Sequence, residues 1–419
     1  MNKIKSTIIK LENIKGLTNY DLCNLFYYIS FTALCLWQAL TITNFKELLF
    51  IKVSIIILSL KIICVVFLVF KVILELLYGK LNIKQYILSC FVLLILLISY
   101  TKCKNATLLI TFLYISFGRS VDIRQLAKIT FIVWTFIIII TVTSSMLGYI
   151  ETLYDIRSNG QIRSSMGFKN PNRFSTSIFQ ILLAWLFLRY DRVKIVDFIL
   201  SVAAIIIIQV VSGSRTTSIA IGVMIFLIIF SKQMKKRNLN KIFIILLMSI
   251  VMLLFVITLY FMFFYDDGNQ MHVFLDRIVS KRFSLAHNFF TKYPPTFFGQ
   301  YFEPDILYDF INGTKGTFII DNSYAKLIIL FGLFPTVLIF LVFFLLIRNE
   351  LKCNSIRSDY LFFIIFLIVG FAESFILNIS MNFTLIIFSN ILINSQIDLL
   401  HKIKNVKFKK LFLKNKISN

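Results

Sequence analysis

Three residue types are scarce in this sequence of 419 residues: 6 cysteines, 5 prolines and 3 histidines. Of Cys23, Cys35, Cys64, Cys90, Cys103 and Cys353, only Cys103 falls in a loop expected outside the cytoplasm, so no disulfide within the chain staples that side. His272, His287 and His401 lie far apart and no Cys/His ligand spacing occurs, so neither a built-in metal site nor a cofactor is expected. The prolines include one adjacent pair, Pro294-Pro295, and no internal repeat is visible, which disfavours a transporter built from repeats with helices broken at mid-membrane. Acidic residues are scarce as well, 20 against 44 Lys and Arg, leaving a formal charge of +24.

What fills the chain instead is hydrocarbon: 58% of residues are hydrophobic. Apolar runs long enough to cross about 30 Å of hydrocarbon recur from end to end. Irregular backbone and open sheet edges do not face lipid, so the expected fold is all-α, a single polytopic membrane domain over 1–419. About twelve spans are read, at 22–43, 53–71, 85–101, 105–118, 128–149, 173–189, 195–212, 216–231, 242–265, 323–347, 360–379 and 382–398. A basic stretch precedes the first run without a small-residue cleavage site, so that run is expected to stay as a helix.

The positive charge is not spread as a nucleic-acid surface would be. Lys and Arg crowd every second loop, at 1–20, 80–84, 119–128, 189–194, 232–241, 348–357 and 402–416. Roughly twenty-seven basic residues lie there against roughly fourteen in the alternate loops, which puts both termini in the cytoplasm and leaves the basic tail as an orientation signal on anionic lipid. Nucleic acid is not an expected partner; membrane lipid is.

Two loops on the opposite side are long, 150–172 and 266–322, and loops of that length are uncommon unless functional. With the turn at 212–214 they collect Arg157, Arg163, Lys169, Arg173, Arg215, Arg277, Lys281, Arg282, Lys292 and Lys315, an excess of cations on the side that normally has few. An anionic ligand approached from outside would explain it.

Arg215 interrupts an apolar stretch, at the start of a helix whose free N–H groups already favour an anion; the alternative is a marker of the membrane surface. Placed on a helix over 273–290, Arg282 falls among Ile278, Val279, Leu285 and Ala286 on the apolar face, where it either reaches headgroups or faces a cavity holding a phosphate. On the polar side lie Arg277, Lys281 and His287. "GFKNPNRF" is a turn by its chemistry, and Lys169, Asn170, Asn172 and Arg173 also offer donors to phosphate or sugar. In "IIDNSYAK", Asp321 or Ser323 caps the next helix, or Asp321 handles an acceptor hydroxyl. Intramembrane Glu373 is expected to pair with Lys61 or Lys326.

The order "GFKNPNRF", "SGSRTT", "SKRFSLAHNFFTKYPPTFFGQ", "DNSYAKLIILFGLF", "FAESFILNI" resembles the Wzy-type polysaccharide polymerases of bacteria, over roughly 150–380. The resemblance implies an inner-membrane protein sharing the fold of the O-antigen ligases and GT-C glycosyltransferases. It implies metal-independent transfer of an oligosaccharide from a polyprenyl diphosphate carrier to another carrier-linked repeat, in capsule, exopolysaccharide or O-antigen synthesis. A flippase and a chain-length regulator are its implied partners. Arg215, Arg282, Asp321 and His287 become the catalytic set, and Arg163, Lys169, Asn170, Asn172, Arg173, Arg277, Lys281, Lys326 and Glu373 the substrate-binding set. Lys281 stands where the family usually has Gly, and Asp321-Asn322 where the ligases commonly have a histidine, which favours polymerase over ligase.

Overall fold

A computed structural model describes residues 19–48, 51–78, 83–156, 160–302, 306–309, 314–317, 320–353 and 356–389. It is almost wholly helical. The helices are α1 (Asn19–Thr41), α2 (Val53–Tyr78), α3 (Ile83–Cys103), α4 (Thr107–Ser116), α5 (Ile123–Met146), α6 (Pro171–Arg189), α7 (Ile195–Val211), α8 (Arg215–Lys236), α9 (Asn240–Phe264), α10 (Gln270–Ile278), α11 (Arg282–Lys292), α12 (Ser323–Lys326), α13 (Leu333–Cys353) and α14 (Ser358–Gly370). Among the described residues, strand is confined to three short antiparallel hairpins, β1 (Glu47–Leu48) with β2 (Ile51–Lys52), β3 (Tyr154–Ile156) with β4 (Ile162–Ser164), and β5 (Ile306–Asp309) with β6 (Thr314–Thr317), of which the second matters for the site.

Among the described residues, six helices are long and apolar enough to cross a membrane: Leu22–Thr41, Val53–Glu75, Ile123–Met146, Arg215–Lys236, Asn240–Phe264 and Leu333–Leu351. Shorter apolar helices lie at Ser89–Cys103, Thr107–Ser116, Ile195–Val211 and Ser358–Gly370. Large apolar side chains point out of the bundle on α2, α7 and α9, with Leu58 58%, Ile206 57% and Leu253 59% exposed. Helices apolar on their outward faces need lipid, not water, around them. The chain is a membrane protein.

The bundle packs around α14, whose Tyr360 to Phe366 are buried throughout. Aromatic rings key into it: Phe187 meets Phe362 edge-on at 5.3 Å, and Phe179 meets Phe366 at 6.3 Å. α6 starts cleanly because Asn170 accepts the Arg173 N–H at 2.9 Å and Pro171 occupies the first helical position, where no N–H is needed. Its buried Ser175 and Ser177 hydroxyls turn back to the Pro171 and Arg173 carbonyls.

Three expected helices are not continuous. The span read at 323–347 is broken at Gly332, φ 93°, between a π-helical turn at Leu327–Phe331 and α13. The stretch read as one helix over 273–290 is two, α10 and α11, because Ser280 and Lys281 both take left-handed backbone, φ 59° and 63°. The span expected at 360–379 ends at Gly370, and residues 371–382 run as buried turns before a short 3₁₀ turn at Phe383–Ile386. Side chains accept and donate for that irregular backbone: Thr111 donates to the Leu377 carbonyl at 2.7 Å and Asn382 to the Ile376 carbonyl at 2.8 Å. Such backbone is tolerated at membrane depth only inside protein. The expected span at 382–398 is described only to residue 389, and its remainder lies outside the described residues, as do Arg157 and His401.

Candidate functional site

Helix starts bring the charges together. Arg173 sits in the first turn of α6, Arg215 opens α8, Arg282 opens α11, and Asp321 immediately precedes the cap of α12, with Lys326 at that helix's end. The buried turns after α14 deliver Glu373 to the same place. Its Oε1 accepts the Thr216 hydroxyl at 3.2 Å and lies 3.7 Å from Arg282 Nη2, while its backbone carbonyl accepts the Ser323 hydroxyl. Glu373 also lies in the fields of Asp321 and Arg173. The pairings expected with Lys61 or Lys326 give way to this one, and Lys61 instead stands over the Trp37 ring at 4.9 Å.

Arg282 is 6% exposed. Its Nη1 donates to the Val279 carbonyl at 3.1 Å, yet Nε is buried without a hydrogen-bond partner. It is not a stray arginine on an apolar face, because the break at Ser280-Lys281 makes it the first residue of α11. Asp276 builds that start: its Oδ1 accepts the N–H groups of Phe283 and Ser284 at 2.8 and 3.2 Å, and Oδ2 accepts the Ser284 hydroxyl at 2.6 Å. Helical periodicity over 273–290 does not single out Asp276; Ser284, eight positions on, is the signal in the sequence that points to a cap.

Asp321 does not cap α12. Asn322 does, accepting from Tyr324 N at 2.9 Å and Ala325 N at 3.1 Å and donating to Thr258 at 3.1 Å. The Asp321 carboxylate is therefore left for other chemistry. Burial raises its pKa above the ordinary carboxylate value, and the nearby Arg282, Arg173 and Lys326 pull it partly back.

Arg163 is spent on the protein itself. It is 7% exposed, with Nε donating to the Ser212 carbonyl at 2.6 Å, Nη1 to Asp155 at 2.9 Å and Nη2 to Asn172 at 2.5 Å. One guanidinium thus ties the β3–β4 hairpin to the turn before α8 and to the first turn of α6. Arg163 and Asn172, both expected to bind substrate, are bonded to each other and position these three elements. Gly213 completes that turn at φ 55°, and a Cβ there would fall 2.8 Å from the Gln161 amide. Ser214 occupies the cap position of α8, but its hydroxyl pairs with Thr217 at 3.1 Å and leaves the helix's first N–H groups uncapped by a side chain.

Arg215 is exposed and has no hydrogen bond or ion pair among the described residues. His287 turns the other way: Nδ1 is 3.0 Å from the Met262 carbonyl, and its ring lies 6.0 Å from Tyr265. It is not drawn into the charged cluster. Lys169, Arg277 and Lys281 are exposed, and Asn170 is the α6 cap. No group of three His, Cys, Asp or Glu side chains that could hold a metal occurs among the described residues.

The geometry therefore supplies partly satisfied guanidinium groups at uncapped or capped helix starts, beside a carboxylate with raised proton affinity. That combination suits an oxyanion next to a hydroxyl. Set against models of known protein families, characterised proteins and solved structures, the chain has no match.

Proposed function

We propose that this chain is a polysaccharide polymerase of the bacterial cytoplasmic membrane, with about twelve spans, both termini in the cytoplasm, and the charged cluster on the outer side. Its donor is an oligosaccharide on a polyprenyl diphosphate, and its acceptor a second carrier-linked repeat. One observation carries the reading: Arg173, Arg282, Lys326, Asp321 and Glu373, from separated parts of the sequence, share one electrostatic site beside the Arg215 turn.

Arg215 and Arg282 hold the diphosphate. The bond from the sugar's anomeric carbon to phosphate oxygen breaks, its electron pair going to the diphosphate, while the acceptor oxygen bonds to that carbon and its proton passes to Asp321. The two guanidinium groups, Arg282 buried and Arg215 exposed, stabilise the developing charge. The test is chain extension in membranes from a strain lacking the wild-type gene. Arg215→Ala and Arg282→Ala should each leave single repeat units on the carrier with the protein still in the membrane. Arg→Lys should restore only part, since it keeps the charge and loses the fork. Wild-type chain lengths with Arg282→Ala at normal expression would end this assignment.

A second reading is favoured by the buried helix break at 371–382, which resembles the broken helices of transporters. Purified protein in vesicles separates the two: a polymerase lengthens the glycan, whereas a transporter moves a single repeat across unchanged.

A further inference from the structure

His272 takes no part in the charged cluster, but the residues around it lead there. It lies in the first turn of α10 and is 8% exposed. The backbone N–H of Asp266 donates to its Nδ1 at 3.1 Å. A backbone nitrogen only donates, so Nδ1 accepts, the ring is neutral, and its proton sits on Nε2, 3.4 Å from the Tyr260 hydroxyl. Three aromatic rings surround the imidazole: Phe261 edge-on at 5.3 Å, Tyr260 edge-on at 5.9 Å and Tyr265 stacked at 6.0 Å. Together with the Asn269 cap, the bond from Asp266 fastens α10 to the turn that leaves α9.

One turn along α10, at the spacing that puts two side chains on one face, stands Asp276, 4% exposed. Tyr265 spans the two: its ring stacks on His272, and its hydroxyl donates to Asp276 Oδ2 at 3.4 Å. Asp276 is the residue that holds the start of α11, through the N–H groups of Phe283 and Ser284 and the Ser284 hydroxyl, and the first residue of α11 is Arg282. Phe283 in turn stacks at 3.9 Å on Phe261, the ring that meets His272 edge-on. A polar route and a route through rings therefore both join the imidazole to the residue beside Arg282.

We propose that His272 is a positioning residue that makes the placement of Arg282 depend on pH. The inference rests on the function argued above only for what Arg282 holds. An imidazolium carries a hydrogen on both nitrogens and accepts nothing, so protonation breaks the bond from Asp266 and leaves that N–H without its partner. Among the described residues, the titratable groups around the ring are Tyr260 and Tyr265 from α9 and its end, Asp266 and Asp267 in the turn, and Asp276 on α10, with Arg282 and His287 beyond them on α11. The new donors are thus met by carboxylates. Asp276 is the one buried on the same face, and its oxygens are already spent on α11. An imidazolium competes for them with Phe283 and Ser284, so acid loosens the start of α11 and Arg282 with it.

The test uses the full chain in nanodiscs of phosphatidylcholine, from about pH 7.5 to about pH 5.5, the span in which histidine ordinarily changes charge. Two quantities are read: amide hydrogen exchange over 279–286, corrected for its intrinsic pH dependence, and binding of inorganic pyrophosphate. His272→Asn keeps an acceptor where Nδ1 stands and cannot charge. Acid should speed exchange of the Phe283 and Ser284 amides in wild type by about tenfold, the loss of one hydrogen bond, and leave it unchanged in His272→Asn. Wild type should also lose pyrophosphate affinity relative to His272→Asn toward acid, a comparison in which the probe's own titration cancels. His272→Lys, charged throughout and without an acceptor, should show the fast exchange already at the neutral end. The same acid response of exchange in wild type and His272→Asn would overturn the switch, as would slow exchange in a folded His272→Lys at the neutral end. Equal pyrophosphate loss in wild type and His272→Asn would detach it from Arg282. A His272-dependent exchange switch in a protein that binds no pyrophosphate at any pH would keep the positioning role and remove the diphosphate reading.

Discussion

Nη2 of Arg282 stands 3.7 Å from Oε1 of Glu373, and the same carboxylate oxygen takes the Thr216 hydroxyl at 3.2 Å. The ion pair is long, and the arginine's Nε has no partner, so the guanidinium keeps capacity for another anion while Glu373 offsets its charge. α8, α11 and the buried turns after α14 are joined at this one point.

Replacing that carboxylate exposes the balance. Glu373→Gln keeps the volume and an acceptor for Thr216 but removes the carboxylate paired with buried Arg282, leaving it the field of Asp321. The empty protein should lose about 3 kcal/mol, the usual cost of removing one partner of a buried pair. Added pyrophosphate should raise the unfolding temperature of the variant more than that of wild type. Thermal unfolding in detergent, with and without pyrophosphate, measures both effects, and equal shifts in the two proteins would mean that Glu373 does not balance Arg282.

The three bonds of Arg163 make a second prediction. Arg163→Met strands the Ser212 carbonyl and the Asn172 side chain, so the hairpin at 154–164 should become open to protease and stability should fall by about 3 kcal/mol. Arg163→Lys should recover little, because one ammonium cannot reach three acceptors in different directions. Asp155→Asn should cost under about 1 kcal/mol, since Asp155 is half exposed. An intact hairpin in Arg163→Met would show that the turn before α8 is held by other contacts.

The apolar runs and helix starts were legible in the sequence because their signals are local: Asn170-Pro171 opens α6 as its chemistry dictates. The cations of 150–380 stand out in the sequence because they crowd two long loops and a turn between apolar runs. Which of them touch was not legible. Arg163 and Arg282 look alike as isolated guanidinium groups, and only packing consigns one to a backbone carbonyl and two side chains and leaves the other partly free. The break at Gly370 has no proline to announce it; the turns at 371–382 persist because Thr111, from α4, and Asn382, at the segment's own end, satisfy their carbonyls. The break at Ser280-Lys281 was hidden by a periodicity that runs through both helices. The outward positions of Phe274 and Ile278, each 59% exposed, fit either one helix or two.

That second break carries a prediction of its own. Lys281 holds φ 63°, a left-handed conformation in which a side chain costs roughly 1–2 kcal/mol relative to ordinary backbone. Lys281→Gly should therefore stabilise the protein by about 0.5–1 kcal/mol after the extra entropy of the unfolded glycine is subtracted. Lys281→Val should destabilise it, since a β-branched residue tolerates that region least. Thermal unfolding of the pair decides, and a lower unfolding temperature for the glycine variant would show that the lysine makes a stabilising contact that outweighs its backbone.

Asp321 titrates in opposite senses for stability and for activity. Burial raises its pKa in the folded protein above its unfolded value, and Arg282, Arg173 and Lys326 only partly reverse this. The folded state therefore binds the proton more tightly. The resulting stabilisation is present below the unfolded value and is lost as pH rises through the folded one. Activity must run the other way, because only the ionised carboxylate can take the proton of an acceptor hydroxyl. Chain extension should rise with pH through that window, and Asp321→Asn should cost about 10²–10⁴ in rate, the range for a general base. Wild type should also lose unfolding temperature relative to Asp321→Asn across the same window. Initial rates and unfolding temperatures on one set of proteoliposomes test both. An asparagine variant that extends chains at the wild-type rate, with the same acid limb, would pass the role of base to another group and leave Asp321 as a buried neighbour of three cations.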